Sequence, residues 1–262
     1  MSALSADVLA AIESKLADAN GVVEKRYPVG SGKRQPVHTV YGGAHLFKAE
    51  LASKLGKVAL RNLDGYGGTA SEFAESVGLE ARGAVAETIM ERVRAKLANE
   101  PIEDFRIDFE DGYGNRSDEE EDGHARQAAE QTALGMEAGT LPPFLGIRIK
   151  PLSTELHRRS QRTLDISLST LAAKTGGKLP DNFVVTLPKI TTEGQVAALC
   201  DAFEAMEKSL GIDAGALKVE MMIETTQSII GPDGHCPLPV WADAARGRCQ
   251  SAHFGTYDYT AA

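Results

Sequence analysis

Three short stretches in which apolar and charged residues alternate, each separated from the next by a long helical segment, limit the possible folds of this chain most sharply. They are Phe105-Arg106-Ile107-Asp108-Phe109-Glu110-Asp111, Leu145-Gly146-Ile147-Arg148-Ile149-Lys150 and Lys218-Val219-Glu220-Met221-Met222-Ile223-Glu224. In an extended strand successive side chains point to opposite faces. Phe105, Ile107, Phe109, Leu145, Ile147, Ile149, Val219, Met221 and Ile223 therefore share one side. Arg106, Asp108, Glu110, Arg148, Lys150, Glu220 and Glu224 share the other. On a solvated sheet face such charges would be ordinary. Helical stretches between the strands predict instead a parallel sheet with both faces covered. Charges on a covered face must pair with one another, hold a metal or take part in chemistry, because a lone buried charge is strongly unfavourable. A functional site is the expected reading, with a structural ion-pair network as its alternative.

The same alternation of strand and helix runs along most of the chain. A first helix is expected over residues 6–18, followed by a polar connection at 30–36. A strand at 37–41 leads through Gly42-Gly43 into a helix at 44–63, and two further helical segments reach Asn99. Helices are then expected at 118–138, 153–175 and 192–210. Strands are expected at 145–150, 182–187, 217–223 and 251–256. Six strands of this kind suit a (β/α) barrel, although a closed one needs eight; a shorter open, doubly wound sheet is the alternative.

Composition removes several function classes. A formal net charge of −9, with no basic stripe, argues against nucleic-acid binding. No apolar run reaches the length of a membrane span, and the N-terminal segment, carrying Asp7, Glu13 and Asp18, reads as an amphipathic helix and not as a signal peptide. Cys200, Cys236 and Cys249 lack paired spacing and are read as reduced thiols of a cytoplasmic protein. Gly30-Ser31-Gly32-Lys33 lacks the upstream glycine and the Ser or Thr of a phosphate loop, and residues 108–114 lack calcium-loop spacing. Ser117 with Glu120 makes a capping box, so the acidic run 118–122 reads as a solvated helix start. His45 and His253 are the histidines nearest strand mouths; a lone histidine there is more often structural than a ligand.

Five strand-end segments occur in one order: Asp108-Phe109-Glu110-Asp111, Gly146-Ile147-Arg148-Ile149, Leu187-Pro188-Lys189, Met222-Ile223-Glu224-Thr225 and Phe254-Gly255-Thr256-Tyr257-Asp258. The series resembles the citrate lyase β-subunit, malyl-CoA lyase and HpcH/HpaI aldolase superfamily of phosphoenolpyruvate/pyruvate-type TIM barrels, over residues 37–262. The extended N-terminus and Gly42-Gly43 depart from the common pattern and suggest a divergent subgroup.

That resemblance implies an α/β fold of the TIM-type (β/α) barrel with an N-terminal helical extension. Residues 1–36 would form the extension and linker, and 37–262 the barrel. With about six of eight strands, the barrel is expected to be incomplete at its C-terminus. The resemblance further implies a Mg²⁺ site, with Mn²⁺ as a substitute, at Glu224 and Asp258, consistent with a cation that takes few carboxylates and keeps waters. Arg148 would pair with the developing enolate oxygen. Glu110 and Asp111 would hold Arg148 and metal-bound waters in place. Lys189 has the wrong parity for its strand, so an inward and an outward, solvated side chain are both open.

The activity so implied is Mg²⁺-dependent carbon–carbon cleavage or condensation of a 2-oxo or 3-hydroxy acid, with or without a CoA thioester. On this reading Arg148→Ala abolishes turnover and leaves the fold intact. The partners would be a small organic acid or acyl-CoA, and copies of the same chain as a trimer or hexamer, with neither nucleic acid nor membrane. Three other readings stand beside it: an enzyme using phosphoenolpyruvate or pyruvate on the same barrel, a non-catalytic organic-acid-binding protein, and a purely structural network of Glu224, Asp258, Arg148 and Glu110.

Overall fold

The computed structural model describes residues 3–27, 30 and 32–261; Ser31 of the expected linker, and Met1, Ser2 and Ala262, lie outside them. The chain divides into two compact units, residues 1–35 and 36–262. The first holds helix α1 (Ala6–Arg26), whose Ser5 side chain accepts a hydrogen bond from the Val8 N–H and whose Lys25 and Arg26 complement the dipole at its end. The helix runs past residue 18 because one interior glycine, Gly21, costs only about 1 kcal/mol.

The second unit begins with β1 (Thr39–Gly43), which takes in both glycines, and a single 3₁₀ turn at Ala44–Leu46. Phe47 is extended (φ −67°, ψ 132°), so the helix expected at 44–63 starts only at α2 (Leu51–Tyr66). α3 (Ala70–Ser76) and α4 (Ala84–Asn99) follow. From there strand and helix alternate: β2 (Asp104–Asp108), α5 (Asp118–Ala138), β3 (Phe144–Arg148), α6 (His157–Thr175), β4 (Phe183–Leu187), α7 (Glu193–Leu210), β5 (Val219–Ile223), α8 (Leu238–Ala244), β6 (Cys249–Phe254) and α9 (Thr256–Ala261). Among the described residues no helix is long and apolar enough to cross a membrane.

The six strands are all parallel and lie side by side in chain order. A doubly wound sheet reverses its strand order at a switch point, and this one has no reversal, so that alternative falls. The sheet is also strongly curled. Strands spaced about 4.8 Å apart in a flat sheet would put β2 and β5 roughly 14 Å from each other. Yet Arg106 of β2 donates to Glu220 of β5 at 2.9 and 3.1 Å. Tyr41 of β1 and His253 of β6, at opposite edges, bring their rings within 5.4 Å. Only a deep trough closes such distances.

Phe105, Ile107, Leu145, Ile147, Val185, Leu187, Val219 and Met221 cover the outside of the curl and pack with Leu164, Leu168, Val196, Leu199, Phe203 and Trp241 of the surrounding helices. The charged set expected from the alternation faces inward. Its lower layer is a closed network in which Arg106 pairs with Asp104 and Glu220 while Thr186 and Ser251 also donate to Glu220. Gly146, opposite Arg106 in the register, makes this possible: a Cβ there would meet the Val184 carbonyl and lie 3.2 Å from Arg106 Cδ.

Two readings of the charges need correction. β3 ends at Arg148, so alternation no longer governs Lys150, which donates to the Phe109 carbonyl and to Glu121 on α5, both at 2.7 Å. The acidic run is only half solvated. Ser117 and Glu120 do form the capping box, but α6 covers the buried Glu121 and Asp122, supplying Thr163, Arg159 and Arg162 as partners.

Candidate functional site

In a parallel sheet every strand ends on the same edge, so residues at strand C-termini converge although they are far apart in sequence. The upper layer of the trough is built in this way. Asp108 closes β2, and its carboxylate is fixed by the backbone N–H groups of Glu110 (2.9 Å) and Gly112 (2.8 Å). Arg148, which closes β3, grips it with two nitrogens: Nε at 2.7 Å and Nη2 at 2.5 Å. Arg148 Nη1 lies 3.3 Å from Glu110 and 3.8 Å from Asp111, and the guanidinium sits 4.7 Å over the Tyr41 ring. Burial works against the charge of Arg148, but Asp108, Glu110 and Asp111 outweigh it and raise its pKa.

Lys189 lies two residues beyond β4. Its φ of +50° turns the chain into the left-handed region, which breaks the strand's alternation and brings the side chain over the trough. The ammonium stands 2.5 Å from Glu110, 3.2 Å from Asp111, 3.1 Å from Asp258 and 4.0 Å from Glu224. The outward alternative is thereby removed. Burial opposes the charge of Lys189 too, and the surrounding acids again prevail and raise its pKa.

Glu224, one residue past β5, is nearly sealed and accepts the Lys189 backbone N–H at 2.7 Å. Asp258, in the first turn of α9, hydrogen-bonds to it. Burial lifts the Glu224 pKa to about 7; Lys189 pulls against this and the bond with Asp258 adds to it. Asp258 moves down despite its own burial, because Glu224 and Lys189 both stabilise its ionised form. Gly255 leaves room for the pair, since a Cβ there would stand 2.6 Å from the Glu224 side chain.

All six residues singled out from the sequence, Arg148, Glu110, Asp111, Lys189, Glu224 and Asp258, thus belong to one cluster. Asp108 and Tyr41 join them and were not picked out. Asp108 had a usable signal, being in phase with Arg106 on the charged face; Tyr41 reaches Arg148 across the trough, which no local pattern records. The main hold on Arg148 is therefore Asp108, with Glu110 and Asp111 adding longer ion pairs.

Residues 16–262 match the family model described as Domain of unknown function (DUF6986). The chain belongs to the DUF6986 family. No curated protein matches it.

The upper layer of this DUF6986 chain sets two cations, Arg148 and Lys189, against five carboxylates, Asp108, Glu110, Asp111, Glu224 and Asp258. The excess of negative charge favours a further cation. Among the described residues no group of three or more His, Cys, Asp or Glu side chains is arranged to hold a metal. Mg²⁺ does not require one: one or two carboxylates, waters and substrate oxygens suffice. Glu224 and Asp258 fit that need, being neighbouring hard oxygen donors at the mouth of the trough. Glu110 Oε2 is buried and is met only by the 3.3 Å ion pair with Arg148 Nη1, which leaves it acceptor capacity for a ligand.

Proposed function

We propose that this DUF6986 chain is a divalent-cation-assisted carbon–carbon lyase or aldolase. Its substrate would be a 2-oxo or 3-hydroxy acid or the CoA thioester of one, and its scaffold a TIM-type barrel related to the citrate lyase β, malyl-CoA lyase and HpcH/HpaI group. The observation that carries this reading is the meeting of Arg148 and Lys189 with Glu110, Asp111, Glu224 and Asp258 at the C-terminal edge of a curled parallel sheet. The unreversed strand order and the contact between Tyr41 and His253 across the trough support the barrel.

Cleavage of this type develops an enolate, so it needs fixed positive charge at one oxygen and a group that takes the hydroxyl proton and returns it. Arg148 is suited to the first task. Asp108 fixes the guanidinium plane through Nε and Nη2, which leaves Nη1 as the nitrogen directed toward Glu110 and Asp111, where an incoming oxygen would meet it. Because the bidentate grip is made beforehand, little reorganisation is needed as charge develops. Glu110 is suited to the second. Its pKa is raised by burial, with Lys189 opposing and a bond to Asp111 adding, and its Oε2 is held only by the longer 3.3 Å ion pair with Arg148 Nη1. Mg²⁺ or Mn²⁺ held by Glu224 and Asp258 would supply Lewis-acid stabilisation and orient the acid.

Oxalate, a planar mimic of a pyruvate enolate, gives a direct test by calorimetric titration with and without Mg²⁺. Binding that requires Mg²⁺ and is lost in Glu224→Gln supports the reading. Absence of binding by folded protein would leave the cluster as an ion-pair network and remove the lyase.

A further inference from the structure

Lys189 occupies an unusual place for an amine. A single ammonium bridges acids from three separate elements: Glu110 and Asp111 after β2, Glu224 after β5, and Asp258 on α9. Two of these are the carboxylates assigned above to a divalent cation. We infer that Lys189 is a built-in counter-ion of the Glu224–Asp258 pair, which a divalent cation must displace in order to bind. The inference rests on the proposed cation site and adds its regulation.

Three observations carry it. The first is position: an ammonium 3.1 Å from Asp258 and 4.0 Å from Glu224 lies where a cation shared by those two acids would lie, and a dication cannot enter beside it without strong repulsion. The second is the backbone. Lys189 is held in the left-handed region, which a side-chain-bearing residue adopts at a cost, and its N–H is tied to Glu224. The main chain is thereby anchored while four rotatable side-chain bonds remain free to carry the ammonium elsewhere. The third is an exit: the Lys189 side chain is 30% exposed, whereas Glu110 and Glu224 beside it are almost closed off.

The consequence is that cation and substrate depend on each other. A dication alone takes Asp258 and Glu224 from the ammonium and leaves it only Glu110 and Asp111. An organic acid that enters with the metal offers its own carboxylate to the released ammonium. Each ligand then strengthens the other's binding by the same factor, as linkage requires.

The test is calorimetric titration of Mn²⁺, without any acid, into the full chain and into Lys189→Met and Lys189→Gln, with thermal melting to establish that each is folded. The expected result is Mn²⁺ binding roughly tenfold tighter in the variants, within the usual span of coupling between sites. In parallel, the native chain is labelled with an amine-acylating reagent, and the modification of Lys189 is read by mass spectrometry with and without saturating Mn²⁺. Displacement predicts faster labelling when Mn²⁺ is bound. Mn²⁺ binding that is equal or weaker in folded variants overturns the inference and leaves the cation site standing. If neither variant folds, labelling of Lys189 that bound Mn²⁺ leaves unchanged does the same. No Mn²⁺ binding by any form, with or without oxalate, removes the cation site and this inference together.

Discussion

Replacing Arg148 by methionine tests whether the upper layer is held together as its geometry indicates. The substitution deletes two short hydrogen bonds to Asp108, ion pairs to Glu110 and Asp111, and the stacking over Tyr41. Removing one partner of a buried pair costs about 3–5 kcal/mol. Asp108 keeps its bonds from the Glu110 and Gly112 N–H groups, so it is not abandoned, and this case belongs near the lower end, about 3 kcal/mol. For a chain of this size that corresponds to a Tm lowered by roughly 6–12 °C. Urea unfolding of Arg148→Met, Asp108→Asn and the double variant separates the pair from its surroundings, with a coupling of about 1.5–3 kcal/mol expected. Additivity within about 0.5 kcal/mol, or a loss under about 1 kcal/mol for Arg148→Met, would refute the assigned grip.

Three further predictions concern the scaffold. Gly146→Ala should cost about 1–3 kcal/mol in urea unfolding, because the added methyl collides with the Val184 carbonyl and crowds Arg106; a neutral substitution would mean that Arg106 does not need that path. Glu121→Gln removes the charge that Lys150 and Arg159 share and should cost about 1.5–3 kcal/mol, whereas a solvated acid would cost nothing measurable. Burial would raise the Glu207 pKa, but Arg248 and the N–H groups of Gly215 and Leu217 outweigh it and hold it at about 2. An unfolded glutamate titrates near about 4.3, so this group's contribution is complete above that pH and is lost as pH falls through about 2. Unfolding midpoints measured from neutral pH downward should show Arg248→Met with a smaller acid-dependent loss than the native chain; equal slopes would discard the pair as its source.

What the sequence determined on its own is local or follows from order. The β-strand's twofold repeat comes from backbone sterics, so the inward charges Arg106, Asp108 and Arg148 could be told from the outward Phe105, Ile107 and Ile147 without coordinates. Strand ends carrying Arg148, Glu110, Glu224 and Asp258 could be assigned to one edge because a parallel sheet leaves no other arrangement. Tertiary structure decided the rest. Lys189 turns inward through a left-handed backbone that no glycine announces, and Lys150 leaves the charged face because its strand stops at Arg148. Glu121 and Asp122 are buried by α6, a helix more than thirty residues further on. Above all, the curl that lets β2 reach β5 and β1 meet β6 arises from packing of the whole sheet against its helices. Such contacts join residues more than a hundred positions apart. Local preference specifies which way each side chain points; only the curled tertiary geometry specifies what it meets.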